Sequence, residues 1–262
     1  MSEVSRQLHL PRFVRVQFAM IMREMATSYG KSSFGYLWAI LDPIGAIAIL
    51  SIAFSLAFGA PALGESFPLF YATGYIPFVV YNTMQQKING SIRENKQLLF
   101  YPRVTYLDAI ISRIVLTFVT QLLVAVIVFG GIMIVYDVDY NIDLKSIFVA
   151  LAAACMLGLG IGSLNSVIVH LFPGWRNMWG IITRPLFLIS CIFYLFDSLP
   201  QWAQSVLWFN PLVHIIGLTR AGFYASYEGD YITEAYPFLI GGITLLMGLL
   251  LLRRHAPYMI NE

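Results

Sequence analysis

IISRIVLTFVTQLLVAVIVFGGIMIVY, residues 110–136, carries a single charge, Arg113, near its start and none after it. At about 1.5 Å per residue, such a helix exceeds the roughly 30 Å hydrocarbon core of a bilayer. A second run, IFVALAAACMLGLGIGSLNSVIVHL at 147–171, contains no Asp, Glu, Lys or Arg. Two such segments close together set the fold class, an all-α integral membrane protein. Working outward, residues 36–59, 67–84, 178–196 and 237–252 approach the same criterion, which predicts six transmembrane helices. The composition agrees, with 58% hydrophobic and 11% charged residues among 262, where a soluble domain carries about 25% charged residues.

The basic residues set the orientation, because cytoplasmic loops collect Lys and Arg. Of the 16 basic residues, all but Lys145 and Arg220 fall on one side of the six-span arrangement. They sit in the N-terminal segment, the loop between spans two and three, the turn between spans four and five, and the C-terminal end. The acids Glu65, Asp137, Asp139, Asp143, Asp197, Glu228, Asp230 and Glu234 fall on the other. Both termini are therefore expected in the cytoplasm. The first 35 residues lack the continuous apolar core of a cleavable signal.

Three segments lie outside the spans. In residues 1–35, Val14, Phe18, Ile21, Met22 and Met25 recur at helical spacing, with Arg12, Arg15 and Arg23 on another face. This pattern predicts an amphipathic interface helix in the headgroup plane. The cytoplasmic excursion 85–106 is polar and basic until Leu98, Leu99, Phe100 and Tyr101, an apolar patch stopped by Pro102. Such a patch in a solvated loop marks a contact surface. In residues 197–235 the apolar pieces are too short to cross, and Asn210-Pro211 divides them into two short helices. This reads as a re-entrant helical hairpin on the periplasmic side, followed by the rest of a transmembrane domain that spans 36–262.

Sites for catalysis or energy coupling are missing from the sequence. Gly30-Lys31-Ser32 resembles the end of a phosphate-binding loop, but Met25 stands where the pattern requires Gly. Gly158 and Gly162 form a GxxxG within a span, which suits close helix packing. The four histidines are scattered, and Cys155 and Cys191 have no metal-type spacing. Catalytic, cofactor and metal sites are accordingly expected to be absent. The informative polar groups are charges at membrane depth, which cost roughly 2.5–3.5 kcal/mol each on insertion scales. These are Asp42 before Pro43, Arg184 before Pro185, and Arg113. Phe187, Phe193 and Tyr194 cluster on span five, near Trp202 and Trp208, and aromatic faces suit sugar rings.

Several motifs together resemble the ABC-2 type membrane permeases, particularly those that export group 2 capsular polysaccharides in Gram-negative bacteria. They are FGYLWAILDP at 34–43, GYIPF at 74–78, residues 91–102, Arg184-Pro185-Leu186 with Ile189-Ser190-Cys191, and WFNPLVH at 208–214. Where related permeases often carry Glu and Lys before the prolines of spans one and five, this chain has Asp42 and Arg184, so charge is kept. The resemblance implies a homodimer with two cytoplasmic ABC ATPase subunits, which would hold the ATP and Mg. Coupling to them would fall on the N-terminal helix and on Arg93, Leu98, Leu99, Phe100, Tyr101 and Arg176. The substrate pathway would include Asp42, Arg113, Arg184, Phe187, Phe193, Tyr194, Trp202 and Trp208. Asn210, Pro211 and His214 would form an outer gate. The cargo would be a lipid-linked acidic polysaccharide, received by a periplasmic adaptor of the polysaccharide co-polymerase type, with no nucleic-acid partner. Two other classes weigh less. A glycan-assembly enzyme needs a carboxylate or histidine cluster, and an ion-coupled transporter shows matching broken helices in its two halves. An ABC-2 permease for another glycan or lipid, such as O-antigen or teichoic acid, is the nearest alternative.

Overall fold

The computed structural model describes residues 12–28, 35–99, 105–136 and 142–261, and no β-strand occurs among them. The helices are α1 (Arg12–Ser28), α2 (Gly35–Ala57), α3 (Phe67–Asn89), α4 (Ser91–Glu94), α5 (Lys96–Leu99), α6 (Tyr106–Tyr136), α7 (Leu144–Leu171), α8 (Trp175–Ile189), α9 (Gln201–Leu207), α10 (Pro211–Phe223) and α11 (Ala235–Asn261). Four contain stretches long and apolar enough to cross a membrane: Leu37–Ala57, Tyr106–Tyr136, Leu144–Leu171 and Ala235–His255.

The second expected span, α3, has the length but less of the apolar character, and its position explains why. It lies against α2, α6, α7 and α10, and its buried residues run from Leu69 to Ile88 and include Thr73 and Gln85. A helix wrapped by protein does not need the uniform apolarity that lipid demands. Ser66 caps it, accepting from the Leu69 amide, and Pro68 occupies its first turn, where a missing amide costs nothing.

Helix α7 is the other centre, packed between α3 and α11. Its glycines make that approach possible. A Cβ on Gly158 would stand 2.6 Å from the Tyr81 carbonyl oxygen, and one on Gly162 would stand 2.7 Å from that of Gln85. Gly160 meets Gly241 and Thr244 of α11 in the same way. The GxxxG therefore packs α7 on α3, and the intervening glycine turns the opposite face toward α11.

The fifth expected span departs from its forecast of 178–196. Helix α8 is 15 residues long and stops at Ile189. The chain then turns through Ser190 and Cys191, whose φ of 61° is left-handed, and reaches a single 3-10 turn at Phe196–Ser198. No residue of α8 is buried within its own chain. The segment expected to re-enter the membrane is two short helices, α9 and α10, with Asn210 capping the second through the Leu212 amide. Helix α10 is buried almost throughout, against α3, α7 and α11.

Candidate functional site

The N-terminal helix α1 is fastened to α6 by its polar side. Gln17, Met20 and Glu24 are buried, while the apolar Phe13, Phe18 and Met22 are half open or more, at 54%, 64% and 50%. Gln17 Nε2 donates to Asp108 Oδ1 at 2.8 Å. Asp108 also closes the start of α6, accepting from the Thr105 amide and hydroxyl while its own amide donates to Thr105 Oγ1, a reciprocal cap.

Arg113 lies one and a half turns further along α6. Its Nη2 pairs with Glu24 of α1 at 2.9 Å and with Glu94 of α4 at 2.7 Å, and its Nη1 donates to the Lys87 carbonyl at 2.9 Å. A guanidinium suits this because its planar fork offers donors in several directions at once. Arg23 Nη1 reaches Asn95 Oδ1 at 2.9 Å, so α1 is tied to the 85–106 segment as well. One buried side chain thus joins α1, α3, α4 and α6. Of the expected coupling residues, Arg93 and Arg176 are exposed. The side chains of Leu98 and Leu99, and the whole of Phe100 and Tyr101, lie outside the described residues.

The expected pathway residues on and around α8, with Asp42 of α2, separate into groups. Asp42 and Arg184 are exposed. Phe187 and Phe193 are half-buried and belong to a continuous series of rings. Phe187 meets Phe78 at 5.1 Å, Tyr75 at 6.1 Å and Phe193 at 5.2 Å, and Phe193 meets Phe54 at 5.8 Å and Tyr71 at 6.4 Å. Phe54 and Tyr71 were not singled out in the sequence, and Tyr75 and Phe78 appeared there only within the GYIPF motif. Their signal is present only as aromatic spacing on α2 and α3 that becomes legible once α8 is placed beside them. Tyr194 turns back to donate to the Leu188 carbonyl at 3.1 Å. Trp202, 74% exposed, stands apart from the series.

The residues expected to form an outer gate do come together. Asn210 caps α10 and its Nδ2 donates to Ser190 Oγ at 3.1 Å, pinning the hairpin to the end of α8. His214 Nε2 lies 2.7 Å from the Trp208 carbonyl, and its Nδ1 accepts from the Thr233 amide at 3.1 Å. An amide can only donate, so Nδ1 carries no proton and Nε2 carries the hydrogen. Burial pushes the His214 pKa below the ordinary imidazole value, against the opposing effect of the backbone hydrogen bonds. The rings of Trp208 and Tyr236 pack at 5.2 Å and 5.1 Å from it.

Arg220 is one of the two basic residues that the sequence assigned to the outer side. Counted there as a charge of the outer loop, it is completely buried in α10. Its Nη1 donates to the Tyr194 carbonyl at 2.9 Å and its Nη2 to the Ile192 carbonyl at 3.0 Å, with the guanidinium 4.5 Å over the Phe70 ring. A cation buried without a carboxylate is stabilised by carbonyl dipoles and a π face. This grip holds the chain where α8 has ended.

Among the described residues no group of three or more His, Cys, Asp or Glu could hold a metal ion. What the arrangement offers is a corner tied among α1, α3, α4 and α6, a ring-lined helix face and an α9–α10 segment latched to the end of α8.

The profile of the ABC-2 type transporter family matches residues 16–224. The chain is 30% identical over 246 residues to the polysialic acid transport protein KpsM of Escherichia coli, covering 93% of this chain and 95% of that one. It is 26% identical over 260 residues to the capsule polysaccharide export inner-membrane protein CtrC of Neisseria meningitidis serogroup A / serotype 4A (96% and 97% covered). It is 28% identical over 246 residues to the capsule polysaccharide export inner-membrane protein BexB of Haemophilus influenzae (92% and 91% covered). With that match across most of its length, on a helical membrane fold, the chain belongs to the ABC-2 type transporter family.

Proposed function

We propose that this chain is the membrane permease of an exporter that moves a lipid-linked acidic capsular polysaccharide outward across the bacterial inner membrane. The observation that carries this reading is the likeness, over more than nine-tenths of each chain, to relatives named for capsule polysaccharide export. The permease works as a homodimer with two ATP-hydrolysing subunits on the cytoplasmic face, and a periplasmic adaptor receives the chain.

In this reading the membrane is crossed six times, by α2, α3, α6, α7, α8 and α11. Helix α8 is about 22 Å long at ~1.5 Å per residue, so the fifth crossing is completed by the turn at 190–196. Helices α9 and α10 then form the re-entrant hairpin, where irregular backbone is tolerated because protein covers it. The exposed apolar side of α1 rests among the headgroups. ATP-driven movement of the partner subunits enters at the 85–106 segment, and the Arg113 junction carries it to α1, α3 and α6 together. The two copies of α8, unburied in their own chains, line the pathway with their rings, on which sugar faces slide. Arg184 and Asp42 meet the acidic cargo near its entry.

The test is removal of the gene from its native host. The expected result is loss of surface capsule with accumulation of the glycolipid in the cytoplasm, reversed by the wild-type chain. Unchanged surface capsule in the deletion strain would overturn the reading.

A further inference from the structure

A cleft of about 600 Å³ opens between the α4–α5 segment and the turn that joins α7 to α8. Arg93 and Lys96 come from one wall, and His170 and Arg176 from the other. None of the described residues that line it is acidic. The nearest carboxylate in sequence, Glu94, is turned away onto Arg113 at 2.7 Å. Arg93, Lys96 and Arg176 form no salt bridge among the described residues.

One further observation points to an anion. Ser166 lines the cleft, is 5% exposed, and its hydroxyl has no hydrogen-bond partner. A buried hydroxyl left unsatisfied costs about 1–3 kcal/mol, which a bound oxygen would recover. Pro173, Arg176 and Asn177 at the start of α8 also line the cleft, where the first amides of that helix already donate to the Phe172, Pro173 and Gly174 carbonyls.

We infer that this cleft binds a phosphate ester, held by Arg93, Lys96 and Arg176 with the Ser166 hydroxyl as an additional donor. Guanidinium groups bind phosphate oxygens in pairs, and phosphate has enough oxygens to engage donors from both walls. The cleft falls within the roughly 300–1,000 Å³ of ordinary ligand sites, with room for more than the bare ion. Its occupant bridges the 85–106 segment and the α7–α8 turn, the two surfaces proposed to meet the ATPase. Arrival of the ligand is thereby felt at the point where motor and permease meet. The phosphate chemistry stands on the cleft alone; only its role in loading cargo rests on the export reading.

The experiment is equilibrium binding of radiolabelled dihexanoyl phosphatidylglycerol to the purified full chain in detergent. Glycerol 3-phosphate, inorganic phosphate and dihexanoylglycerol serve as competitors. Saturable binding near one per chain is expected, displaced by the phosphate-bearing compounds and not by dihexanoylglycerol. Arg93 and Arg176 are exposed, so R93Q and R176Q leave the fold intact by thermal unfolding. Each weakens binding about threefold or more, and the pair about tenfold or more, while K145Q at the far end of α7 does not. Displacement by glycerol 3-phosphate as effective as by unlabelled lipid assigns the site to a soluble phosphate ester, and much weaker displacement assigns it to a lipid-borne one. Binding that does not saturate, that dihexanoylglycerol displaces, or that R93Q/R176Q leaves unchanged overturns the proposal. This binding is read without export, so its failure and that of the export reading are separate results.

Discussion

Arg113 and Glu24 close a 2.9 Å ion pair whose side chains are 3% and 7% exposed, and it joins α1 to α6. Without Glu24, Arg113 keeps Glu94 and the Lys87 carbonyl, so its charge is not stranded and what is lost is the link to α1. Glu24→Ala is therefore expected to cost about 1.5–3 kcal/mol at the α1–α6 contact, the range for a lost hydrogen bond to a charged group. Hydrogen exchange across 12–28 should rise in that variant while exchange across 144–171 stays low. Unaltered protection of α1 would show that the pair does not hold the helix in place.

The glycines of α7 set a second expectation. Gly162→Val pushes side-chain atoms into the Gln85 backbone, an overpacking of about 1–3 kcal/mol, and should lower the thermal midpoint of the detergent-purified protein. Gly180 on α8 has nothing within 4 Å of its Cβ position. Gly180→Ala should leave the midpoint unchanged or raise it, since alanine favours a helix by up to ~1 kcal/mol.

Arg220 makes a third testable point through a neighbour. Cys191 is fully buried beneath the turn that Arg220 holds. Arg220→Ala leaves the Ile192 and Tyr194 carbonyls without their donors, at about 1–3 kcal/mol each, and frees the turn. Maleimide labelling of Cys191 in membranes should be slow in the wild type and fast in the variant. Equal rates would mean that packing alone keeps the turn closed.

Acidification should loosen the outer hairpin. The His214 pKa is lowered in the folded protein, so the unfolded chain binds more protons and stability falls as pH decreases below about 6.5. Above that value the residue contributes no pH dependence. His214→Gln should flatten the profile between pH 7 and 5, as followed by protease cutting within 197–235. A wild-type profile that is flat over the same range would remove His214 as the cause.

Coupling to the ATPase can be tested in the same strain background. Leu98→Asp and Phe100→Asp should abolish capsule export and co-purification of the ATPase, with normal amounts of the permease in the membrane. Full export would exclude this patch as the docking surface.

The sequence was informative wherever a property repeats along one helix. Residues 110–136 and 147–171 announced α6 and α7 through composition alone, and Asn210-Pro211 announced the start of α10 through local capping. Arg220 and Cys191 mark the limit. Nothing local in the apolar stretch 178–196 ends a helix before Phe196, yet Arg220 in α10 reaches back to two of its carbonyls. Arg113 is similar, since its charge was visible but its partners Glu24 and Glu94 come from different helices. The ring series beside α8 needed three helices to be placed before Phe54, Tyr71 and Phe78 could be seen as neighbours of Phe187 and Phe193. Pairings between distant segments leave no period in the chain, so they were out of reach.

Helix α8 gives no fully buried side chain to the core of its own chain. The outer positions of residues 175–189 can therefore accept substitutions without unfolding the protein, while α3 and α7, locked glycine to carbonyl, cannot. Descendants of one ancestral permease could diverge in cargo preference by rewriting this helix alone. A chimaera that exchanges α8 between two exporters should still fold, and it would carry the donor's preference with it.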